Sequence, residues 1–413
     1  MIQPNPLAPA HLAVPEDADA LDPALWPASA RRDHDGAVLI GGVRLTDLAE
    51  DYGTPLYVLD EAEVRSRAAG TLTAFRRAAD DAGVAVHVYY AGKAFLSADV
   101  VRWMLAEGLR IDVSTGGELA LALAAGAPGS ALGFHGNNKS DGEIAAAVAA
   151  GIGSIVLDSA SEVDRVADAA RLAGRTQAVR LRVNSGVHAS THEYLATARE
   201  DQKFGVALAD VPAIIAAVRA RPELALLGLH SHIGSQIFGI DGFAEAARRL
   251  LTVHRDLLAG GPVPDLNLGG GFGIAYTAAD RPADIAEIAA GIVGTVAATA
   301  AELGIPVPDL AVEPGRSVIG PAGVTVYTVG TIKDVEVAQP GGGSAVRRYV
   351  AVDGGMSDNV RTALYGADYT VRLAARTSSA DPVLVRIVGK HCESGDIVVQ
   401  ADYLPGDVAA GDL

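Results

Sequence analysis

A single lysine, Lys93, closes the run Val86-His87-Val88-Tyr89-Tyr90-Ala91-Gly92-Lys93. An ammonium at the end of a β-branched and aromatic run is costly to bury unless it is paired or loses its proton. A lysine amine without its proton is a nucleophile toward carbonyl carbon. Taken alone, Lys93 reads more simply as a strand-end side chain reaching solvent. Its companions change that reading. Asp112, His135, Asp158, Asn184, His230 with His232, and Glu313 with Arg316 stand at the ends of other short apolar runs. Gly269-Gly270-Gly271-Phe272-Gly273 follows one more such run. Bare backbone amides in a glycine loop can hold a phosphate, although three glycines also make a plain flexible turn. Glu313-Pro314-Gly315-Arg316 offers a second loop of that kind, and the pair favours a phosphorylated ligand. Ile274 stands where a dinucleotide fingerprint needs glycine, and no G-x-x-x-x-G-K-[ST] occurs, so nucleoside triphosphate hydrolysis has no support.

Two further groups carry weaker signals. His230-Ser231-His232 would put both imidazoles on one side of a strand, half of a metal site at best. With no H-E-x-x-H and no cysteine pair, the expectation is no metal, a hydrogen-bonded core role for His230, and His232 flat against a ring ligand. His391-Cys392 resembles a nucleophile dyad, but neighbours on a strand point opposite ways, which argues against a cysteine protease. Glu393 and the Gly395-Asp396 turn mark the segment as an exposed polar loop.

The elements that position these residues alternate regularly. Strands are expected at Val86–Ala91, Arg110–Val113, Leu132–His135, Ser154–Leu157, Ala178–Val183, Leu226–His232, Leu266–Leu268 and Leu310–Val312. Seven alanine-rich segments of helical period lie between them. Eight strand-helix units imply a (β/α)8 barrel with its site at the carboxyl ends of the strands. After Gly320 the pattern becomes β-rich, with strands expected at Val324–Val329, Tyr349–Val352, Val383–Val388 and Ile397–Gln400 and a flexible turn over 339–344. Four segments follow: an arm over 1–30, strands over 31–60 that pack with the C-terminal domain, the barrel over 61–320, and a β domain over 321–413. The arm is expected to be loosely ordered.

The chain has 413 residues, 49% of them hydrophobic, enough for two cores. Lys plus Arg is 33 and Asp plus Glu 50, so the net charge is 33 − 50 = −17. That balance disfavours nucleic acid and anionic membrane as partners. The apolar runs read as too short or too broken to span a bilayer, and the N-terminus lacks the pattern of a signal peptide. Cys392 is the one cysteine, so no internal disulfide forms, which suits the cytoplasm.

The ordered set of motifs resembles the fold-type III pyridoxal-phosphate-dependent decarboxylases, and within them the branch acting on meso-2,6-diaminopimelate. The matching blocks are Tyr90-Ala91-Gly92-Lys93-Ala94-Phe95-Leu96, Asp112-Val113-Ser114, and the stretch from Arg182-Val183-Asn184 through His192-Glu193-Tyr194 to Lys203-Phe204-Gly205. They continue with 228–236, the glycine loop, Glu313-Pro314-Gly315-Arg316, Arg361-Thr362-Ala363-Leu364-Tyr365-Gly366 and Cys392-Glu393-Ser394-Gly395-Asp396. The likeness covers nearly the whole chain after Ile40.

The resemblance implies pyridoxal 5'-phosphate as cofactor, L-lysine and CO2 as products, and a role for each matching residue. Lys93 would hold the cofactor covalently. His232 would stack on its ring, and Glu313 would pair with the ring nitrogen. Ser235, Gly271, Pro314-Gly315 and Arg316 would surround the phosphate, with Asp112 near the cofactor. Arg316, Arg361, Tyr365 and Glu393 would hold substrate, and Cys392 would return a proton after CO2 leaves. The family builds the Cys-Glu loop from a partner subunit, implying a homodimer. The alternatives are another basic amino-acid decarboxylase of this fold, of ornithine or arginine type, and an inactive cofactor-binding regulator. A distal-carboxylate arginine disfavours the first, and intact Lys93, Cys392 and Glu393 disfavour the second. An amino-acid racemase does not account for the Cys-Glu-Ser-Gly-Asp block. Family members also continue beyond the position of Leu413 with more β-domain sequence, so the β domain is expected to be truncated.

Overall fold

The computed structural model describes residues 5–187, 203–339 and 341–413. The chain divides into two compact units. One comprises Arg65–Ile274 and Pro282–Gly320, the other Met1–Val64, Ala275–Arg281 and Pro321–Leu413.

The first of these is a closed parallel barrel. Its strands are β1 (Val86–Ala91), β2 (Arg110–Val113), β3 (Leu132–Phe134), β4 (Ser154–Leu157), β5 (Gln177–Asn184), β6 (Leu224–His230), β7 (Asp265–Asn267) and β8 (Asp309–Val312). Each pairs in parallel with the next, and β8 returns to β1. The intervening helices are α1 (Ala98–Ala106), α2 (Gly116–Ala124), α3 (Asp141–Ala149), α4 (Ser161–Leu172), α5 (Val211–Arg219), α6 (Asp241–Leu258) and α7 (Ile285–Leu303). Both strand faces are covered, which explains runs such as Ser-Ile-Val-Leu in β4, buried throughout. Helix starts are set by side-chain caps: Ser97 for α1, Thr115 for α2, Asp284 for α7, and a Ser140–Glu143 capping box for α3. Inside the barrel Arg180 is fully buried, clasping Asp265 and donating from Nη1 to Ser154 Oγ at 2.9 Å.

The strands follow the sequence reading closely, with one consequential difference. β6 spans Leu224–His230, not Leu226–His232, so His232 lies in the loop after the strand. The apolar runs also include one segment, α7, that is long and apolar enough to cross a membrane by length and composition. Its inner face, including Ile288, Ile292, Val293 and Val296, is buried in the barrel unit.

The second unit is β-rich. Its main sheet orders Val329–Ala338, Ser344–Val352, Pro382–Val388 and Ile397–Pro405, with the central pair parallel. Val350, Val385, Ile387 and Leu404 form its core. Leu56–Leu59 pairs antiparallel with Gly323–Val326, so an N-terminal strand joins this unit. The expected single strand Val324–Val329 is broken after Val326, and Val329–Ala338 forms a hairpin with Ser344–Val352. The break falls where Thr328 N donates to Asp353 Oδ1 instead of to a ladder partner. Within residues 5–30 the loose arm is not found. Asp19 is buried and accepts from Ser378 N at 2.6 Å, and Asn5 Nδ2 donates to Val346 O at 2.8 Å.

Candidate active site

A cleft of about 420 Å³ opens at the carboxyl ends of the barrel strands. Lys93, Asp112, His135, His232 and Glu313 all line it. Lys93 sits in the single turn Gly92–Ala94 directly after β1 and is exposed at the mouth. Gly92 permits that turn, since a Cβ there would stand 2.7 Å from Asp112 O.

The floor is a cluster of buried ionisable groups. Glu313, just beyond β8, accepts from Asn267 Nδ2 at 2.7 Å. His230 Nε2 lies 3.0 Å from Glu313 Oε1, and His135 Nε2 lies 3.6 Å from the same oxygen. Burial alone would favour the neutral acid, but the three histidines His230, His135 and His232 outweigh it and hold the Glu313 pKa well below the carboxylate range. His135 Nε2 also lies 3.1 Å from Asp112 Oδ1. Burial pushes Asp112 up to about 6, against the attraction of His135. Burial opposes charge on His135 too, but Asp112 and Glu313 prevail and raise its pKa. His230 goes the other way: removal from water lowers it to about 4. At neutral pH the floor therefore holds ionised Glu313 beside a neutral His230.

His232 forms part of the wall. Its Nδ1 accepts from Gly270 N at 3.3 Å, which fixes the ring. Burial, then the Lys93 ammonium, lowers its pKa and keeps it neutral.

Ser235, Gly271, Gly315 and Arg316 lie next to this cleft in an interlocked set of loops. Arg316 Nη2 donates to Ser235 Oγ at 3.0 Å. Ile237 N donates to Gly271 O and Gly273 N to Ile237 O, zipping the loop after β6 to the glycine loop. Gly271 has φ +109, and a Cβ on it would stand 2.3 Å from Gly234 O, so only glycine fits. Pro314 O accepts from Ala91 N at 2.9 Å, tying the last loop to the first strand.

The remaining sequence-derived candidates belong to the second unit. Arg361 opens the short helix Arg361–Tyr365, and its Nη1 donates to Tyr276 OH at 3.0 Å. Tyr365, Cys392 and Glu393 are exposed. His192-Glu193-Tyr194 lies outside the described residues.

Sequence reasoning gave no role to three groups that the fold brings here. Arg182 of β5 lines the cleft, with its guanidinium 4.3 Å over the Phe204 ring. His135 and Asn267 complete the floor. His135 closes an apolar run, and Arg182 and Asn267 are polar residues set inside one; that was the available signal.

A barrel with an amine at its mouth, an ionised carboxylate on its floor and glycine loops between defines a cofactor-dependent enzyme. The family described as "Pyridoxal-dependent decarboxylase, pyridoxal binding domain" matches residues 69–320. Diaminopimelate decarboxylase of Mycobacterium tuberculosis is 50% identical over 401 residues, covering 95% of this chain and 87% of that protein. The Bacillus subtilis enzyme of the same name is 44% identical, covering 93% and 86%. The crystal structure of diaminopimelate decarboxylase from M. jannaschii in co-complex with L-lysine has TM-score 0.83 at 30% identity, covering 94% and 87%. This chain belongs to the pyridoxal-dependent decarboxylase family.

The residues present fit that cofactor. Asp112 Oδ2 is a buried acceptor with no hydrogen-bond partner, facing a cleft of suitable size. The Gly271 loop leaves bare amide backbone where a side chain would clash.

Proposed function

We propose that this chain is a carboxy-lyase that uses pyridoxal 5'-phosphate to convert meso-2,6-diaminopimelate to L-lysine and CO2, the last step of lysine biosynthesis. The observation that carries the reading is Glu313, a buried carboxylate hydrogen-bonded by Asn267 and set against His230 and His135, beneath a cleft with a lysine at its mouth. The names of the relatives support the substrate.

When bound, the cofactor supplies an electron sink for the carbanion left by CO2. The chain's residues bind, orient and move protons around it. Lys93 offers the amine that attaches the cofactor. Glu313 provides the anion that keeps a ring nitrogen protonated. His232, neutral and fixed by Gly270 N, presents a flat face. Ser235, Gly271, Pro314-Gly315 and Arg316 would hold the phosphate, an anchor that sets orientation. Asp112 acts beside them through its contact with His135.

Arg316 and Arg361 suit the substrate's distal carboxylate and Glu393 its distal ammonium, with Tyr365 also holding substrate. Cys392 returns the proton. The active form is a homodimer in which the Cys392-Glu393 loop is contributed by the partner subunit, and the enzyme is cytoplasmic. Residues 61–320 form the cofactor-binding barrel, and 31–60 pack with 321–413 as the β domain.

Incubation with meso-diaminopimelate and pyridoxal phosphate tests this directly. Stoichiometric L-lysine and CO2 are expected, with ornithine, arginine and lysine turned over far more slowly. Faster release of CO2 from ornithine or arginine would overturn the substrate assignment.

A further inference from the structure

Asn267 ends β7 and is only 1% exposed. Its amide is engaged at both ends. Nδ2 donates to Glu313 Oε1 at 2.7 Å, and Oδ1 accepts from Gly269 N at 2.8 Å. The orientation follows from the partners: a carboxylate only accepts and a backbone N–H only donates. Gly269 O then accepts from Glu313 N at 2.8 Å, closing a ring of three hydrogen bonds. The next amide, Gly270 N, donates to His232 Nδ1. The loop has little room to adjust, because a Cβ on Gly269 would stand 2.5 Å from Ser231 O and one on Gly270 only 1.9 Å from Glu313 O. One neutral side chain thus links the floor carboxylate, the start of the glycine loop and, through that loop, the imidazole of the wall.

We propose that Asn267 is a positioning residue that aims the Glu313 carboxylate into the cleft while setting the first amide of the glycine loop. The proposal rests on the cofactor reading given above. Its two jobs are chemically separable. Aspartate has the same shape and still accepts from Gly269 N, but it cannot donate to Glu313. It also places a second carboxylate against the first in a buried site, where two adjacent like charges cannot both stay ionised. One proton then settles on the pair, and Glu313 no longer holds a full charge of its own. Alanine loses both contacts.

The test compares wild type, Asn267→Asp and Asn267→Ala. Pyridoxal phosphate affinity is measured by fluorescence, the absorption band of the bound cofactor is followed from pH 6 to 9, and kcat and KM are determined. Asn267→Asp is expected to bind cofactor within about threefold of wild type, with kcat down about 10- to 100-fold and KM little changed. Its absorption band should become pH-dependent over a range where the wild-type band is flat. Asn267→Ala is expected to lose about tenfold or more in cofactor affinity as well. Wild-type kcat and an unaltered band in Asn267→Asp would overturn the proposal. Should Asn267→Asp fail to fold, the double variant Asn267→Asp/Glu313→Gln exchanges donor and acceptor and restores the contact. Its kcat should then match that of Glu313→Gln alone. A double variant whose kcat falls well below that of Glu313→Gln alone would show that restoring the contact does not restore the function, and would overturn the proposal. A wild-type protein that takes up no cofactor would instead sink the reading on which the proposal rests.

Discussion

The Nε2 of His135 stands 3.1 Å from Oδ1 of Asp112, both side chains buried at the base of the barrel cleft. Asp112 titrates at about 6, raised by burial, so it is ionised above that pH and neutral below it. His135 loses its main supporting charge when Asp112 takes up a proton. Cofactor affinity and turnover are therefore expected to fall as pH drops through about 6. A pH–rate profile of Asp112→Asn should lack that limb. The change should not come from unfolding at Asp112: an acid whose folded pKa is raised takes up its proton more readily when folded, so this group adds stability as pH falls. Thermal melts over the same range separate the two effects.

Lys93 is the amine at the cleft mouth. Borohydride reduction of the cofactor-loaded protein is expected to attach the cofactor to Lys93, as read by peptide mass spectrometry. Lys93→Ala should bind cofactor only reversibly. Attachment to another lysine would refute the assignment.

Arg361 donates to Tyr276 OH at 3.0 Å and lies over that ring, which holds its guanidinium in place. Arg361→Ala should lower kcat/KM for diaminopimelate about 10- to 150-fold, the loss of one charge-assisted hydrogen bond, with cofactor affinity nearly unchanged. Wild-type kinetics would remove Arg361 from substrate recognition.

Cys392 and Glu393 are exposed in the single chain. If a partner's loop completes each site, mixing inactive Lys93→Ala with inactive Cys392→Ala should restore part of the activity through hybrid dimers. No recovery after verified subunit exchange would mean that each site is made within one chain.

Lys139 is fully buried, with Nζ 2.9 Å from Glu162 Oε2 and donating to Gly136 O and Val156 O at 2.7 Å each. Lys139→Met strands a buried carboxylate and should cost about 3–5 kcal/mol in urea unfolding. Lys139→Met/Glu162→Leu should cost clearly less, because the uncompensated charge goes with its partner. Equal losses would indicate that the pair's packing matters more than its charge.

Much of the architecture follows from local physics. Short β-branched runs with both faces covered, separated by alanine-rich helical segments, determine parallel strands, and β1, β2 and β4 have the very bounds that their residues suggest. Polar residues at the ends of such runs identify one face of the barrel as the site. The hairpin strand Val329–Ala338 was missed beyond Val329: Gly330 and the charges at Lys333 and Asp334 obscured the alternation Val335-Glu336-Val337.

What the sequence could not determine is which of those polar residues meet. His135, Asn267 and Glu313 stand at or just past the ends of β3, β7 and β8 and converge only because the barrel closes. Their protonation is likewise a tertiary property. Asp112 is raised and Glu313 lowered although both are carboxylates at strand ends, because only Glu313 faces three imidazoles. His230 and His232, two residues apart, take different places in the cleft because β6 stops at His230 and His232 lies past its end, its ring held by Gly270 N. Burial and neighbouring charge act through space, and neither distance is written in the order of residues along the chain.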